Sequence, residues 1–229
     1  MAILTPHPGT YLRFYREWRR LSRAELWADG IVHAVGIVIA IAAGTVLLAY
    51  AFGRTAAGEY IAAVFYVISL LTVLSVSCAY NLWPASRAKW FLRRVDHAAI
   101  FLLIAGTYTP FLAQLPETLA RITIVCVWAA TVVGMGIKIL LPGRYDGWAT
   151  VFYLAIGWSG VAVAGELAAI VPETTMWLIV AGGMVYSAGV IFFVWNGLRY
   201  QSALWHGFVV SGAGLHLAAM LDLLVVGRV

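Results

Sequence analysis

Seven long apolar runs, at residues 31–52, 60–82, 97–113, 119–141, 148–167, 176–195 and 204–226, leave this chain few ways to fold. Each approaches the roughly 20 residues an α-helix needs to cross a bilayer. The third is the shortest and leans on its flanks. The apolar residues come in blocks rather than in alternation, so the sequence predicts an all-α membrane protein, a bundle of seven transmembrane helices. Composition points the same way. At 63% hydrophobic and 11% charged, the chain has too little polar material to coat a soluble surface.

The net charge of +5 invites a nucleic-acid reading, but the positions of the charges argue for membrane topology. Of 15 Lys and Arg residues, all but Arg54, Arg121 and Arg228 fall in the N-terminal tail or in the second, fourth and sixth connections. Arg87, Lys89, Arg93 and Arg94 form the densest of these connections. By the positive-inside rule the N-terminus is cytoplasmic and the C-terminus outside. The expected location is a bacterial inner membrane, multi-pass, with membrane lipids and other membrane-protein subunits as candidate partners and no nucleic acid.

Residues 1–29 read as a cytoplasmic basic amphipathic segment and residues 30–229 as the seven-span domain. With Thr10 as a cap, Tyr11, Phe14, Tyr15, Trp18 and Leu21 share one helical face, and Arg13, Arg16, Arg19, Arg20 and Arg23 the other. That pattern suits an interfacial helix on an anionic leaflet. No cleavable leader is expected, because the first apolar run starts only at Ile31 and is too long for an h-region. Cys78 and Cys126 fall inside predicted spans and read as packing residues. Pro110 should kink the third span, with Thr107 or Thr109 satisfying the carbonyl it frees.

Three polar patches interrupt the apolar blocks: Ser77 with Asn81, Asp96 with His97, and Ser202 with His206. Polar residues inside a membrane are costly, so each is a functional-site hypothesis. Ser77/Asn81 and Ser202/His206 are i, i+4 pairs, each on one helix face. With the N-terminus inside, the second span ends, and the third and seventh begin, at the cytoplasmic side. The patches therefore share one depth, and His33 falls at that level too. His216 lies ten residues past His206, about 15 Å further along the helix.

The residues around these patches resemble bacterial hemolysin III proteins, a family grouped with the progestin and adipoQ receptors and the alkaline ceramidases. Ser77-Cys78-Ala79-Tyr80-Asn81, Arg93-Arg94-Val95-Asp96-His97, Ala105-Gly106-Thr107-Tyr108-Thr109-Pro110-Phe111 and Ala203-Leu204-Trp205-His206 carry the likeness. The segment from Glu25 to His33-Ala34-Val35-Gly36 adds to it. The resemblance implies seven spans in the orientation above. It also implies a zinc site of three histidines, in a pattern Ser-x-x-x-His, Asp and His-x-x-x-His, with a metal-bound water near the aspartate. Carried onto this chain, the serine is Ser77, the aspartate Asp96 and the last histidine His206, while Asn81 and Ser202 stand at the other two histidine positions.

Amide and hydroxyl oxygens replace imidazole poorly on zinc. The expectation is therefore a degenerate metal site with no cofactor, in which Ser77, Asp96 and His206 are remnants hydrogen-bonded to Asn81 and Ser202. Ser77 has no evident base partner. The expected role is a non-catalytic lipid- or protein-binding scaffold, or an accessory subunit of a membrane complex. One alternative is a zinc-dependent hydrolase of a membrane lipid amide or ester, its site rebuilt from His206, Asp96 and His33. His97 and Cys78 are poorer rescuers, since each neighbours a family position and should point away. A second alternative is a cytolytic pore former, although no polar channel-lining stripe is visible.

Overall fold

The computed structural model describes residues 21–141, 146–195 and 197–228. Among them there is no strand, and seven helical stretches are long and apolar enough to cross a membrane. The proposed surface residues Arg13, Arg16, Trp18, Arg19 and Arg20 lie outside the described residues. Arg23 does not belong to a separate segment: it opens the first spanning helix, α1 (Arg23–Ala51). That helix starts well before the apolar run because Ser22 and Glu25 form a capping box. The Ser22 hydroxyl accepts from the Glu25 N–H at 3.3 Å, and the Glu25 carboxylate accepts from the Ser22 N–H at 2.8 Å. Asp29 thereby enters the bundle.

α2 (Ala57–Leu82) and α3 (Arg87–Leu112) follow. α3 reaches back through the basic cluster, which the sequence reading treated as a loop. Ser86 caps it, its hydroxyl accepting from the Lys89 N–H at 3.2 Å, and Arg and Lys are good helix formers. The helix continues through Pro110. Thr107 and Thr109 do not reach the carbonyl the proline frees. Their hydroxyls donate instead to Leu103 O at 2.8 Å and Ala105 O at 2.7 Å.

α4 (Glu117–Leu140) forms the fourth span. The fifth is broken: α5 (Asp146–Gly157), a 3-10 turn (Ser159–Val163) and the short α6 (Ala164–Ala168). Tyr108 of α3 closes the break, donating to Gly157 O at 2.7 Å and accepting from the Gly160 N–H at 2.8 Å. Irregular backbone inside a bilayer survives where protein satisfies it in this way. α7 (Glu173–Val194) and α8 (Gln201–Leu224) complete the bundle.

α8 packs between α7 and α1, α1 also lies on α2, and α3 sits between α2 and α4. Close approach of α1 to α8 depends on Gly36, where an added Cβ would stand 2.6 Å from a Val210 methyl. Tyr66 of α2, fully buried, donates to Ala213 O of α8 at 3.2 Å. Large apolar side chains such as Val38, Val125 and Val132 point outward, as lipid-facing positions do, and the free Cys126 is exposed among them rather than packed.

Candidate functional site

The ends of α1, α2 and α8 that carry polar residues meet on one side of the bundle. Glu25 helps hold them together. Its carboxylate caps α1 and also accepts from the Tyr200 N–H at 3.2 Å, just before α8 begins. Tyr200 sits in the left-handed region at φ 60°, a conformation worth roughly 1–3 kcal/mol of strain in a non-glycine residue. Glu25 thus fixes where α8 starts, and so where Ser202 and His206 point.

His206 is the hub. Its Nδ1 lies 2.6 Å from Oδ1 of Asp29 and its Nε2 3.3 Å from the Ser77 hydroxyl. Ser202, one turn earlier, reaches Nδ1 only at 3.4 Å, near the limit for a hydrogen bond. With an ionised carboxylate, which can only accept, Nδ1 donates to Asp29 and Nε2 turns its lone pair to Ser77. Asn81 donates its amide to the Ser77 carbonyl at 2.9 Å and to the Ser77 hydroxyl at 3.3 Å. Asp29, Ser77 and His206 are all buried.

His33 completes the cluster. Its ring packs on that of His206 with centroids 4.3 Å apart, and its Nδ1 donates to Asp29 O at 2.9 Å. Its Nε2 is buried and has no hydrogen-bond partner among the described residues. Ligand atoms of Asp29, His33 and His206 lie within 4.8 Å of one another. Beneath them Lys89, also buried, donates from Nζ to Asn81 O and Trp83 O, both at 3.0 Å, at the carbonyl end of α2.

The structure therefore joins five of the residues singled out by sequence: Ser77, Asn81, Ser202, His206 and His33. Asp96 stands apart from that hydrogen-bonded chain. Its carboxylate lies 3.9 Å from His97. His97 turns to Arg93 O at 2.6 Å, and neither it nor Cys78 belongs to the cluster. His216 is a satisfied packing histidine, 2.8 Å from Gly212 O. Two participants were missed. Asp29 is the carboxylate that orients His206, and its i, i+4 spacing to His33 was a usable signal. Lys89 was counted as a loop cation, whereas it is folded under the site. Sequence offered no signal that a ring nitrogen stands within reach of Ser77, yet His206 Nε2 lies 3.3 Å from its hydroxyl.

Similarity to known proteins agrees with this architecture. The profile of the family described as "Haemolysin-III related" matches residues 24–217. The chain is 32% identical over 187 residues to a "Hemolysin-3 homolog" of Bacillus subtilis (strain 168), covering 81% of this chain and 88% of that protein. It is 30% identical over 195 residues to "Hemolysin-3" of Bacillus cereus, covering 85% and 89%. It is also 29% identical over 174 residues to the human "Monocyte to macrophage differentiation factor", covering 71% and 70%. The chain belongs to the haemolysin III family and is a seven-helix membrane protein.

The residues at the resembled zinc positions do not fit a three-histidine site. Asn81 turns its amide nitrogen to Ser77, Ser202 offers a hydroxyl, and both nitrogens of His206 are engaged.

Proposed function

We propose that this chain is a lipid-binding membrane protein whose polar centre works without the three-histidine zinc site. The observation that carries lipid binding is a cavity of about 240 Å³ among α2, α3, α5, α6, α7 and α8, walled by residues such as Leu103, Phe111, Trp158, Ile179 and Trp205. Several of its polar side chains are already spent on backbone carbonyls. Thr107 bonds Leu103, Tyr108 bonds Gly157 and Ser187 bonds Gly183. The wall thus suits hydrocarbon. The cavity is smaller than the roughly 300–1,000 Å³ that encloses a drug-sized ligand, so it takes part of one acyl chain rather than a whole lipid. An apolar space between spans, open on the side of exposed Val161 and Val180, favours lipid over a protein subunit as the occupant.

The same reading puts the N-terminus in the cytoplasm of a bacterial cell and the bundle in its inner membrane. The gathering of Lys and Arg at one end of the helices supports that placement. Native mass analysis after gentle detergent extraction tests the lipid reading. One lipid adduct per chain is expected, lost in Ala164→Phe, which fills the cavity. A bare wild-type mass would contradict it.

A second reading, a zinc ion on Asp29, His33 and His206, is favoured by the unpartnered buried Nε2 of His33 and the convergence of three ligand atoms. Zinc there would supply a Lewis acid and an activated water. It would have to displace the short Asp29–His206 hydrogen bond, which places it second.

A further inference from the structure

The polar centre has an order that packing alone does not call for: carboxylate, imidazole, hydroxyl. Asp29 Oδ1 is 2.6 Å from His206 Nδ1, and His206 Nε2 is 3.3 Å from Ser77 Oγ. The carboxylate fixes the tautomer, so the lone pair on Nε2 faces the serine. A nucleophile, a base in hydrogen-bond reach and a third group orienting the base are the parts of an acyl-transfer triad, recognised by geometry and role rather than by chain order. The serine–base distance of 3.3 Å lies at the long end of hydrogen-bond reach.

Three further features bear on reactivity. Asn81 donates to Ser77 Oγ at 3.3 Å, which places an amide N–H beside the nucleophile and helps fix its orientation. Lys89 Nζ bonds the Asn81 carbonyl and adds a positive charge below it. The tilted His33 ring, 4.3 Å from that of His206, limits rotation of the base. Val73, one helical turn before Ser77 on the same face of α2, forms part of the cavity wall.

We infer that Ser77, His206 and Asp29 form a metal-free triad acting on the carboxylic ester of an acyl lipid whose chain lies in the cavity, an inference that rests on the lipid-binding reading for its substrate. Ser77 Oγ bonds to the carbonyl carbon while its proton passes to His206 Nε2 and the carbonyl π pair moves to oxygen. Collapse breaks the ester C–O bond, and the departing alcohol takes the proton from Nε2, leaving an acyl-serine. Water then adds to that acyl group, giving its proton to Nε2. Expulsion of Ser77 Oγ, which recovers that proton, releases the fatty acid. Asp29 holds the imidazole and stabilises its cationic form in both halves.

The full-length protein, dialysed against a zinc chelator in detergent, is treated with a long-chain alkyl fluorophosphonate and followed by intact mass and peptide mapping. One adduct per chain, mapped to Ser77, is expected, with the labelling rate unchanged by the chelator. Asp29→Asn should slow labelling by more than about ten-fold while the protein stays folded. Absence of a Ser77 adduct in wild-type protein overturns the triad, as does labelling that requires added zinc, and neither result depends on a variant folding. Protein that co-purifies with lipid but never labels refutes the triad and leaves lipid binding standing. Labelling of protein with no bound lipid refutes the lipid reading and leaves the triad.

Discussion

At the scale of residues, the consequence of burial is that a lost partner is not replaced by water. Removing the Asp29 carboxylate leaves His206 Nδ1 with only the marginal Ser202 contact, and an unsatisfied buried polar group costs about 1–3 kcal/mol. Asn81 makes ordinary membrane hydrogen bonds, worth about 0.6 kcal/mol each on average. Asp29→Ala should therefore lower the thermal midpoint in detergent clearly more than Asn81→Ala; equal shifts would mean that the Asp29–His206 bond is not the organising contact. Ser77 and His206 were legible from sequence because polar residues inside apolar runs stand out. Asp29 was less so, because it precedes the apolar run and reads as part of a polar tail, so that its spacing to His33 is the one signal it gives. Only the capping box at Ser22 and Glu25, which extends the helix backwards, carries it inside.

Elements meet where side chains allow them to. At Gly36 a methyl would press on Val210, whose β-branched side chain has little rotamer freedom to yield. Overpacking costs about 1–3 kcal/mol, against about 1 kcal/mol gained by alanine in helix propensity. Gly36→Ala should be net destabilising and Val210→Ala should rescue it; a neutral Gly36→Ala measured by thermal unfolding would show that α1 and α8 adjust freely. Lys89 acts at the end of α2, where its ammonium meets carbonyls and the negative end of the helix dipole. Hydrogen bonds to a charged group contribute about 1.5–3 kcal/mol, so Lys89→Leu should cost that much in a denaturation series, and an unchanged midpoint would assign Lys89 to topology alone. The seven spans were readable from hydropathy. Their ends were less so, because Arg and Lys in the first turns of α3 favour helix as much as they mark a boundary. The break after Gly157 carried no hydropathy signal, since what closes it is Tyr108 from another helix.

The whole molecule has a direction in the membrane, and the account commits to it. In a background lacking Cys78 and Cys126, a cysteine in place of Gly58 should react with an impermeant maleimide on intact cells. One in place of exposed Arg87, at the other end of the bundle, should not. The reverse pattern would invert the topology and put the polar centre on the outer side. At the same scale, a hydrogen-bonded relay runs from Asp29 of α1 through His206 of α8 to Ser77 of α2, and the proposed reading has it replace a zinc site. The most direct test of that replacement is the zinc content of the purified, full-length protein. Far less than one zinc per chain is predicted, unchanged by His206→Ala. One zinc per chain, lost in His206→Ala, would contradict the account and establish a metal centre on Asp29, His33 and His206.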